Sequence, residues 1–340
     1  MSAPRGTRAH LVVSPHPDDA VWSLGGRLAH WAARGVPVTV VTVFDGPEPE
    51  GVPEPEAVPG AEGVPGAEGV PGAGPAPVSA PRERASAPSP AGGSGTRPLA
   101  GRLPPRPRVP ASGASGSPGA PRQTAPSPPP LPHTDPSPDA WRRVAHPALR
   151  RREDRAALGE LGVAHLSLGF TDAALRTSDG RYRYRSAPRV FAARHPDDDD
   201  LPGAISEALR PLCPPGTRVH APLAAGRHVD HVVSRAAVER LAAPGTVWYE
   251  DFPYPLRGRD HDGLSARCQP LTEAEVERWL AAALRYASQA EALFGGADGL
   301  RRALLARTRA HGAEAGTPHA DRHWLRVEPG RPWEDRADTS

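Results

Sequence analysis

The sequence predicts an α/β protein with a mainly parallel sheet, because short runs of β-branched residues alternate with helical patterns. The first run is His10-Leu11-Val12-Val13, and a second, with five valines, covers residues 36–44. Between them Leu24, Leu28 and Trp31 recur at i, i+4 and i+7, the spacing of a core-facing helix. Strand, helix and strand in this order predict a parallel βαβ unit.

Residues 46–139 interrupt this pattern, since they consist mainly of Pro, Gly, Ala and Ser. A short repeat is visible at residues 61–66 and 67–72. The segment offers almost no large apolar side chains to bury, so we expect a disordered insertion in a surface loop. The α/β pattern resumes afterwards without a fresh start. The predicted domain therefore comprises residues 1–45 and 140–335, with the insertion between them.

The alternation of elements after the insertion completes the prediction. We expect helices over residues 141–161, 201–212, 226–241 and 272–294, and strands over residues 163–168, 217–221 and 246–250. Thr272 and Glu275 form a capping-box pattern at the start of the last helix. Together these elements predict a Rossmann-like, doubly wound sheet with helices on both faces.

The loop after the first strand carries the first candidate site. Within Ser14-Pro15-His16-Pro17-Asp18-Asp19, one imidazole and two carboxylates lie within four residues. Loops at the carboxyl ends of strands are where ligands bind in open α/β sheets. The alternative is that one aspartate only caps the following helix. Three such groups together favour a metal or catalytic site.

A second cluster follows a later predicted strand. His228 and His231 stand at positions i and i+3, so both project from one face of the first turn of a helix, with Asp230 between them. The cluster belongs to the same edge of the predicted sheet as His16 and Asp19. Catalytic zinc typically has three protein ligands and one open position. His16, Asp19 and one of the two helix histidines satisfy that count.

These two motifs, His16-Pro17-Asp18-Asp19 and His228-Val229-Asp230-His231, resemble those of the PIG-L/LmbE-like zinc-dependent N-deacetylases, which include N-acetylglucosaminyl deacetylases. Lesser matches follow in the same order along the chain, at residues 151, 154, 161–162, 168–172, 286–294 and 323–324. The resemblance covers nearly all of the chain outside the insertion. One departure is Ala20, where the family usually has Glu.

The resemblance implies a zinc site and a general base. By similarity His16, Asp19 and His231 are the metal ligands, and Asp18 is the base that takes a proton from water. The implied activity is hydrolysis of a linear amide, removing an acetyl or other acyl group from the nitrogen of an amino-sugar conjugate.

The resemblance also implies roles for four further residues. His228 is expected to donate to the oxyanion of the tetrahedral intermediate, with Asp230 holding its ring in the charged form. Arg151 and Asp172 match family positions that contact the polar substrate.

Three other motifs have structural interpretations. The run His195-Pro196-Asp197-Asp198 repeats the letters of the first motif, but it continues as an acidic stretch and predicts a solvated loop. Residues 249–254 are either packed aromatics or a wall of the substrate pocket. Gly25-Gly26 predicts a close helix contact, and His30, His165 and His220 are expected to be hydrogen-bonded core histidines.

Composition limits the classes of function that the protein can have. The net charge of +2 gives no field that would favour nucleic acid, and the two cysteines form no metal or disulfide pattern. The N-terminal residues contain no apolar signal segment, and no apolar run has the length of a membrane span, so a cytoplasmic protein with a small-molecule substrate is expected.

Two other functions stay open: a metal-dependent glycosyltransferase, which would not require the histidines, and a scaffold that binds partners through its Pro-rich insertion. The sequence gives no prediction of the oligomeric state.

Overall fold

A seven-stranded sheet forms the centre of the computed structural model, which describes residues 8–47, 142, 144–258 and 260–326. Its order is β3-β2-β1-β6-β7-β9-β8, and a separate two-stranded ribbon pairs β4 with β5. The strands are β1 His10–Ser14, β2 Val38–Thr42, β3 Ala164–Ser167, β4 Thr177–Ser178, β5 Arg181–Tyr182, β6 Arg218–Pro222, β7 Val247–Tyr249, β8 Leu264–Pro270 and β9 Ala320–Arg326. The helices are α1 Asp19–Ala33, α2 Pro147–Leu161, α3 Leu201–Leu209, α4 Val229–Leu241, α5 Glu273–Ala283, α6 Ala287–Phe294 and α7 Ala297–Ala315.

The first five strands of this order are parallel, while β9 is antiparallel to both of its neighbours. The predicted α/β class with a mostly parallel central sheet is therefore confirmed. The antiparallel pair β8 and β9 at one edge was not predicted.

Side chains alternate along β1 between two buried cores, as the pleat of a strand requires. Val12 packs in a core with α1, α2, α5, α6 and α7. Leu11 and Val13 pack in a second core with α3 and α4. Helices therefore cover both faces of the sheet, and the central strand contributes to each core.

The strand order reverses direction beside β1. The chain runs from β1 outward through β2 to β3, and later returns to place β6 on the other side of β1. The register pairs Val12 with Val40 on one side and with His220 on the other. Loops following β1 and β6 therefore leave the sheet at the same edge, at the point where α/β folds bind ligands. Both predicted motifs lie in these two loops.

The helix predicted over residues 272–294 is two helices. Thr272 and Glu275 form the expected capping box at the start of α5. The chain then turns at Tyr286, whose hydroxyl donates to Asp154 at 2.7 Å. At the start of α6, the N–H and hydroxyl of Ser288 donate to Glu153 at 2.8 and 2.7 Å. The side chains of α2 therefore accept hydrogen bonds from the segment where the chain turns. In a continuous helix the N–H of Ser288 would instead bond within the helix.

Other predictions about packing are confirmed. Gly25 of α1 lies against the indole of Trp279 on α5, so that a β-carbon there would overlap the ring. His30, His165 and His220 each have a ring nitrogen within 3.1 Å of a neighbouring side chain. The helix predicted from residue 141 begins at Pro147.

The predicted insertion at residues 46–139 lies, apart from its first two residues, outside the described part of the chain. Within the described part, no helix combines the length and the apolar character needed to cross a membrane.

Candidate active site

The loop between β1 and α1 is held by hydrogen bonds within itself. Ser14 Oγ donates to the carbonyl of His16 at 2.6 Å and accepts from the N–H of Ala20 at 3.0 Å. The N–H of His16 donates to Asp19 Oδ2 at 2.8 Å. Asp18 occupies the N-cap position of α1, but its side chain makes no capping bond, so the capping interpretation is wrong for Asp18. Ala20 is fully buried, and its N–H helps to hold the loop.

The loop between β6 and α4 presents the two histidines of the second motif. His228 is the N-cap residue of α4, and its Nδ1 accepts from the N–H of Asp230 at 3.2 Å. His231 lies in the first turn, where its Nδ1 donates to Asp251 Oδ1 at 2.6 Å. Asp251 in turn accepts from the N–H of Ala225 at 3.0 Å. This chain of bonds fixes the His231 ring with its Nε2 directed toward Asp19, 3.2 Å away.

His16 lies at the centre of the cluster, with a carboxylate near each ring nitrogen. Its Nδ1 is 3.2 Å from Asp19 Oδ2, and its Nε2 is 3.0 Å from Asp230 Oδ2 and 3.5 Å from Asp172 Oδ2. Burial alone would lower the pKa of His16, but Asp172, Asp19 and Asp230 raise it to about 9. For Asp19, the cost of burial is outweighed by His231 and His16, which hold its pKa well below the usual range. The cluster therefore favours a positive charge at its centre.

Asp18 is paired with a buried arginine. Arg150 Nη2 donates to Asp18 Oδ1 at 2.6 Å, and its Nη1 donates to Asp172 Oδ2 at 3.1 Å. All three side chains are buried. Burial raises the pKa of Asp18, and the charge of Arg150 opposes the increase. The two adjacent aspartates thus have different surroundings, and their pKa values shift in opposite directions.

Arg151, the arginine predicted to contact substrate, lies outside this cluster. It is half-buried and donates to the backbone carbonyl of Asp45. The preceding residue, Arg150, is the one that contacts Asp18 and Asp172. Consecutive positions of a helix point about 100° apart, so the sequence pattern alone did not distinguish them. Of the eight predicted site residues, the other seven lie in the buried cluster.

The role expected of Asp230 also needs correction. Its carboxylate does not hold the His228 ring, because it accepts from Ala173 N at 2.8 Å, contacts His16, and pairs with Arg176 at 2.6 Å. The contact with His228 is made instead by the Asp230 N–H. Burial and the charge of His16 lower the pKa of His228 well below its usual value, so the ring is neutral. With Nδ1 accepting, the proton of the neutral ring lies on Nε2.

Arg176 extends the network to the second acidic motif. It lies 3.1 Å from Asp198 Oδ2, which also accepts from the Tyr184 hydroxyl at 2.7 Å. Asp198 is fully buried, so the prediction of a solvated loop is wrong at this position, although its neighbours Asp199 and Asp200 are exposed. No sequence pattern indicated Arg176, because its partners are brought to it by the tertiary packing.

Part of the segment 249–254 packs in the core, and part of it lies beside the histidine cluster. Tyr249 is core packing, and its hydroxyl donates to the carbonyl of Val13 at 2.8 Å. Asp251 supports His231, and the ring of Tyr254 lies 5.7 Å from that of His231. The sequence motifs did not identify Asp251 as a site residue. Its position just after a predicted strand could have indicated that it lies at the same edge of the sheet as the two motifs.

The donor set fits a divalent metal ion. One ring nitrogen from each of His16, His228 and His231 lies within 4.8 Å of the others, and Asp19 contacts two of these rings. A second group joins His16 with Asp172 and Asp230. Buried imidazole nitrogens beside a carboxylate are typical ligands of zinc, and the raised pKa of His16 indicates that a cation is stabilised there. His231 also has the carboxylate partner that commonly orients metal-binding imidazoles.

Comparisons with known proteins agree with these observations. A family model described as PIG-L: GlcNAc-PI de-N-acetylase matches residues 11–87. A 2'-N-acetylparomamine deacetylase of Streptomyces fradiae is 36% identical over 110 residues, which make up 31% of this chain. The alignment spans only 37% of the length of that relative.

Solved structures show a similar fold. The zinc-inhibited form of a teicoplanin deacetylase matches with a TM-score of 0.58 and 22% identity, covering 95% of this chain and 100% of that one. A deacetylase of the A40926 pseudoaglycone matches with a TM-score of 0.55 and 23% identity, covering 96% and 99%. Motifs, family match and fold together confirm the resemblance read from the sequence, that of a PIG-L/LmbE-like N-deacetylase.

Proposed function

We propose that this protein is a zinc-dependent amidase that removes an acetyl or other acyl group from the nitrogen of a small amino-sugar conjugate. The observation that carries the proposal is the buried cluster in which His16, Asp19 and His231 meet beside a separate carboxylate, Asp18. A metal-binding group and a carboxylate base at one site are the two components of metal-assisted amide hydrolysis.

The proposed metal ligands are His16, Asp19 and His231. A zinc ion bound by them would act as a Lewis acid toward the amide and make water more acidic near neutral pH. Asp251 holds His231 in the tautomer that leaves Nε2 free, because its carboxylate accepts from Nδ1. The carboxylate of Asp230 accepts from His16 and, through its pairing with Arg176, stays ionised.

Asp18 is the proposed general base. Its carboxylate takes a proton from the attacking water and delivers it to the departing amine nitrogen. Burial raises its pKa, and the charge of Arg150, which donates to the carboxylate, opposes the increase. His228 is the proposed donor to the amide oxygen. Its neutral ring carries the proton on Nε2, so it donates without being charged.

Arg150 and Asp172 are the proposed contacts to the polar part of the substrate. Their side chains form one wall of the site, 3.1 Å apart, and a guanidinium beside a carboxylate suits the hydroxyl groups of a sugar. The proposal replaces Arg151 by Arg150 in this role, because Arg151 is bonded to the Asp45 carbonyl.

Metal analysis combined with product release tests the proposal. The purified protein should hold about one zinc ion per chain and release acetate from N-acetylglucosamine conjugates. The His16→Ala and His231→Ala variants should lose metal and activity together. If either variant keeps a full complement of zinc, the ligand assignment is wrong.

Two neighbouring variants separate metal binding from proton transfer. Asp18→Asn should retain zinc and lose on the order of 10² to 10⁴ in turnover, the usual contribution of a general base. Asp19→Asn should bind zinc more weakly, because an amide oxygen is a poorer ligand than a carboxylate. The opposite pattern would exchange the two roles, and full activity in both variants would refute the mechanism.

A further inference from the structure

The site has a second wall, which is aromatic and has no part in the proposed chemistry. The ring of Phe191 lies 5.2 Å from that of His228, edge to face, and 5.8 Å from that of Tyr254. Tyr254 in turn lies 5.7 Å from His231. Phe191 and Tyr254, the aromatic wall, therefore flank the two histidines of α4. The charged wall of Arg150 and Asp172 contacts His16 instead.

Phe191 is held in place by the residue before it. A short 3₁₀ helix, Ala187–Phe191, buries Val190 in a small core with Val229 of α4. Val229 follows His228, so this anchor sets the next ring, Phe191, against the imidazole. Yet Phe191 is 36% exposed, and in the described part of the chain only Leu166 shares that status among the large apolar side chains. An apolar ring fixed beside a reactive site and open to solvent indicates a ligand contact.

Tyr254 is positioned by the same residues that build the metal site. Its N–H donates to the Asp251 carbonyl at 2.8 Å, and the Asp251 carboxylate holds His231. Gly226 lies under the ring, at a φ of 74°, and a β-carbon there would be 2.5 Å from Tyr254 Cγ. The close approach requires glycine at this position. The position of the aromatic wall relative to the proposed catalytic groups is therefore fixed.

The proposed reaction indicates which part of the substrate contacts the aromatic wall. The amide nitrogen of the substrate lies toward Asp18, which protonates it, and the attached sugar lies toward Arg150 and Asp172. The amide oxygen lies toward His228. The remaining substituent of the amide carbon is the acyl chain, which is directed away from the charged wall and toward the ring packed on His228.

We propose that Phe191 and Tyr254 form an acyl subsite that makes the enzyme prefer apolar acyl groups larger than acetyl. The inference rests on the proposed function and adds the class of acyl group. In each turnover a water oxygen bonds to the acyl carbon, the C–N bond breaks, and the products are a carboxylate and the protonated amine. Only the size of the released carboxylate differs between substrates, so chain-length dependence isolates the contribution of the wall.

The test compares N-acetyl-, N-propanoyl- and N-butanoylglucosamine with the metal-loaded full chain. Burial of each added methylene should raise kcat/KM by about fourfold, which gives on the order of tenfold between acetyl and butanoyl. The Phe191→Ala variant should reduce the butanoyl-to-acetyl ratio to near one. Leu166→Ala removes the other exposed large apolar side chain, on β3, and should keep the wild-type ratio. Thermal unfolding of both variants checks that the fold is retained.

A wild-type enzyme that is indifferent to chain length, or a Phe191→Ala variant that keeps the full ratio, would overturn the acyl subsite. A parallel comparison uses 4-nitrophenyl N-acetylglucosaminide and N-acetylglucosamine. If Phe191→Ala changes this ratio and not the acyl ratio, the wall contacts the aglycone and the proposal is wrong.

Calorimetric binding keeps the two proposals distinguishable. A zinc-loaded protein that hydrolyses none of the substrates refutes the proposed function. In that case tighter binding of N-butanoyl- than of N-acetylglucosamine, lost in Phe191→Ala, would still support the subsite, and equal binding would refute it.

Discussion

Replacement of Arg150 by methionine should both destabilise the protein and change the pH dependence of its activity. Arg150 is 7% exposed, and its guanidinium donates to two buried carboxylates, Asp18 at 2.6 Å and Asp172 at 3.1 Å. Methionine has a similar length and no charge, so both carboxylates lose their partner. Removal of one member of a buried ion pair costs about 3 to 5 kcal/mol in the free energy of unfolding.

The same substitution acts on the proposed base. Arg150 lowers the pKa of Asp18 against the effect of burial, so its loss raises that pKa further. A base must be ionised to accept a proton. The acidic limb of the kcat/KM profile should therefore move to higher pH in Arg150→Met.

Arg151→Met is the matched control, since the two arginines are adjacent on α2. Arg151 is half-buried and donates to a backbone carbonyl, a bond worth about 0.5 to 1.5 kcal/mol. Its loss should leave the acidic limb in place. Urea unfolding and acetate release across pH 5 to 9 measure both effects. An unshifted limb in Arg150→Met, or an equal shift in Arg151→Met, would refute the assignment of Arg150 to the base.

Three further predictions follow from other contacts. In the metal-free protein the folded pKa of His16 is raised to about 9 from an ordinary value near 6.5. Its contribution to stability is therefore fully present below about pH 6.5 and lost as pH rises through 9, which urea unfolding of the chelated protein should record; a constant stability over this range would contradict it. Asp251→Ala removes the carboxylate that orients His231 and should weaken zinc affinity about 10- to 100-fold, measured by competition with a chelator, without changing the metal-to-protein ratio at saturation. Gly25→Ala places a methyl group into the Trp279 ring and should lower stability by at least about 1 to 3 kcal/mol, whereas Gly159→Ala, with open space beside it on α2, should raise it by about 0.5 to 1 kcal/mol; equal effects would show that the contact at Gly25 relaxes.

The sequence predicted those parts of the molecule that depend on short-range pattern. Valine runs located the central strands, and the two motifs located the loops after β1 and β6 within one or two residues. Strands β8 and β9 were missed because Leu264–Pro270 and Ala320–Arg326 contain few consecutive apolar residues. Of the two, β8 is the edge strand and β9 lies between it and β7.

Site residues that depend on tertiary packing could not be read in the same way. The choice between Arg150 and Arg151 is set by which face of α2 meets the β1 loop, and neighbouring helix positions carry no sequence signal for it. Asp198 looked solvated within an acidic run, yet Arg176 and Tyr184 bury it. Both partners come from the loop and ribbon that follow β3, and their approach becomes visible only in the folded chain.

The placement of β6 beside β1 has a consequence for how the protein is made. His16 and Asp230 touch across 214 residues of sequence. At a synthesis rate of about 5 to 20 residues per second, the first motif leaves the ribosome roughly 10 to 40 s before the second. During that interval β1 and β2 can pair, because they are close in sequence, but the pocket does not exist. A nascent chain halted before β6 would lack His228, Asp230 and His231, so the proposed metal ligands can meet only after the second half of the sheet has docked.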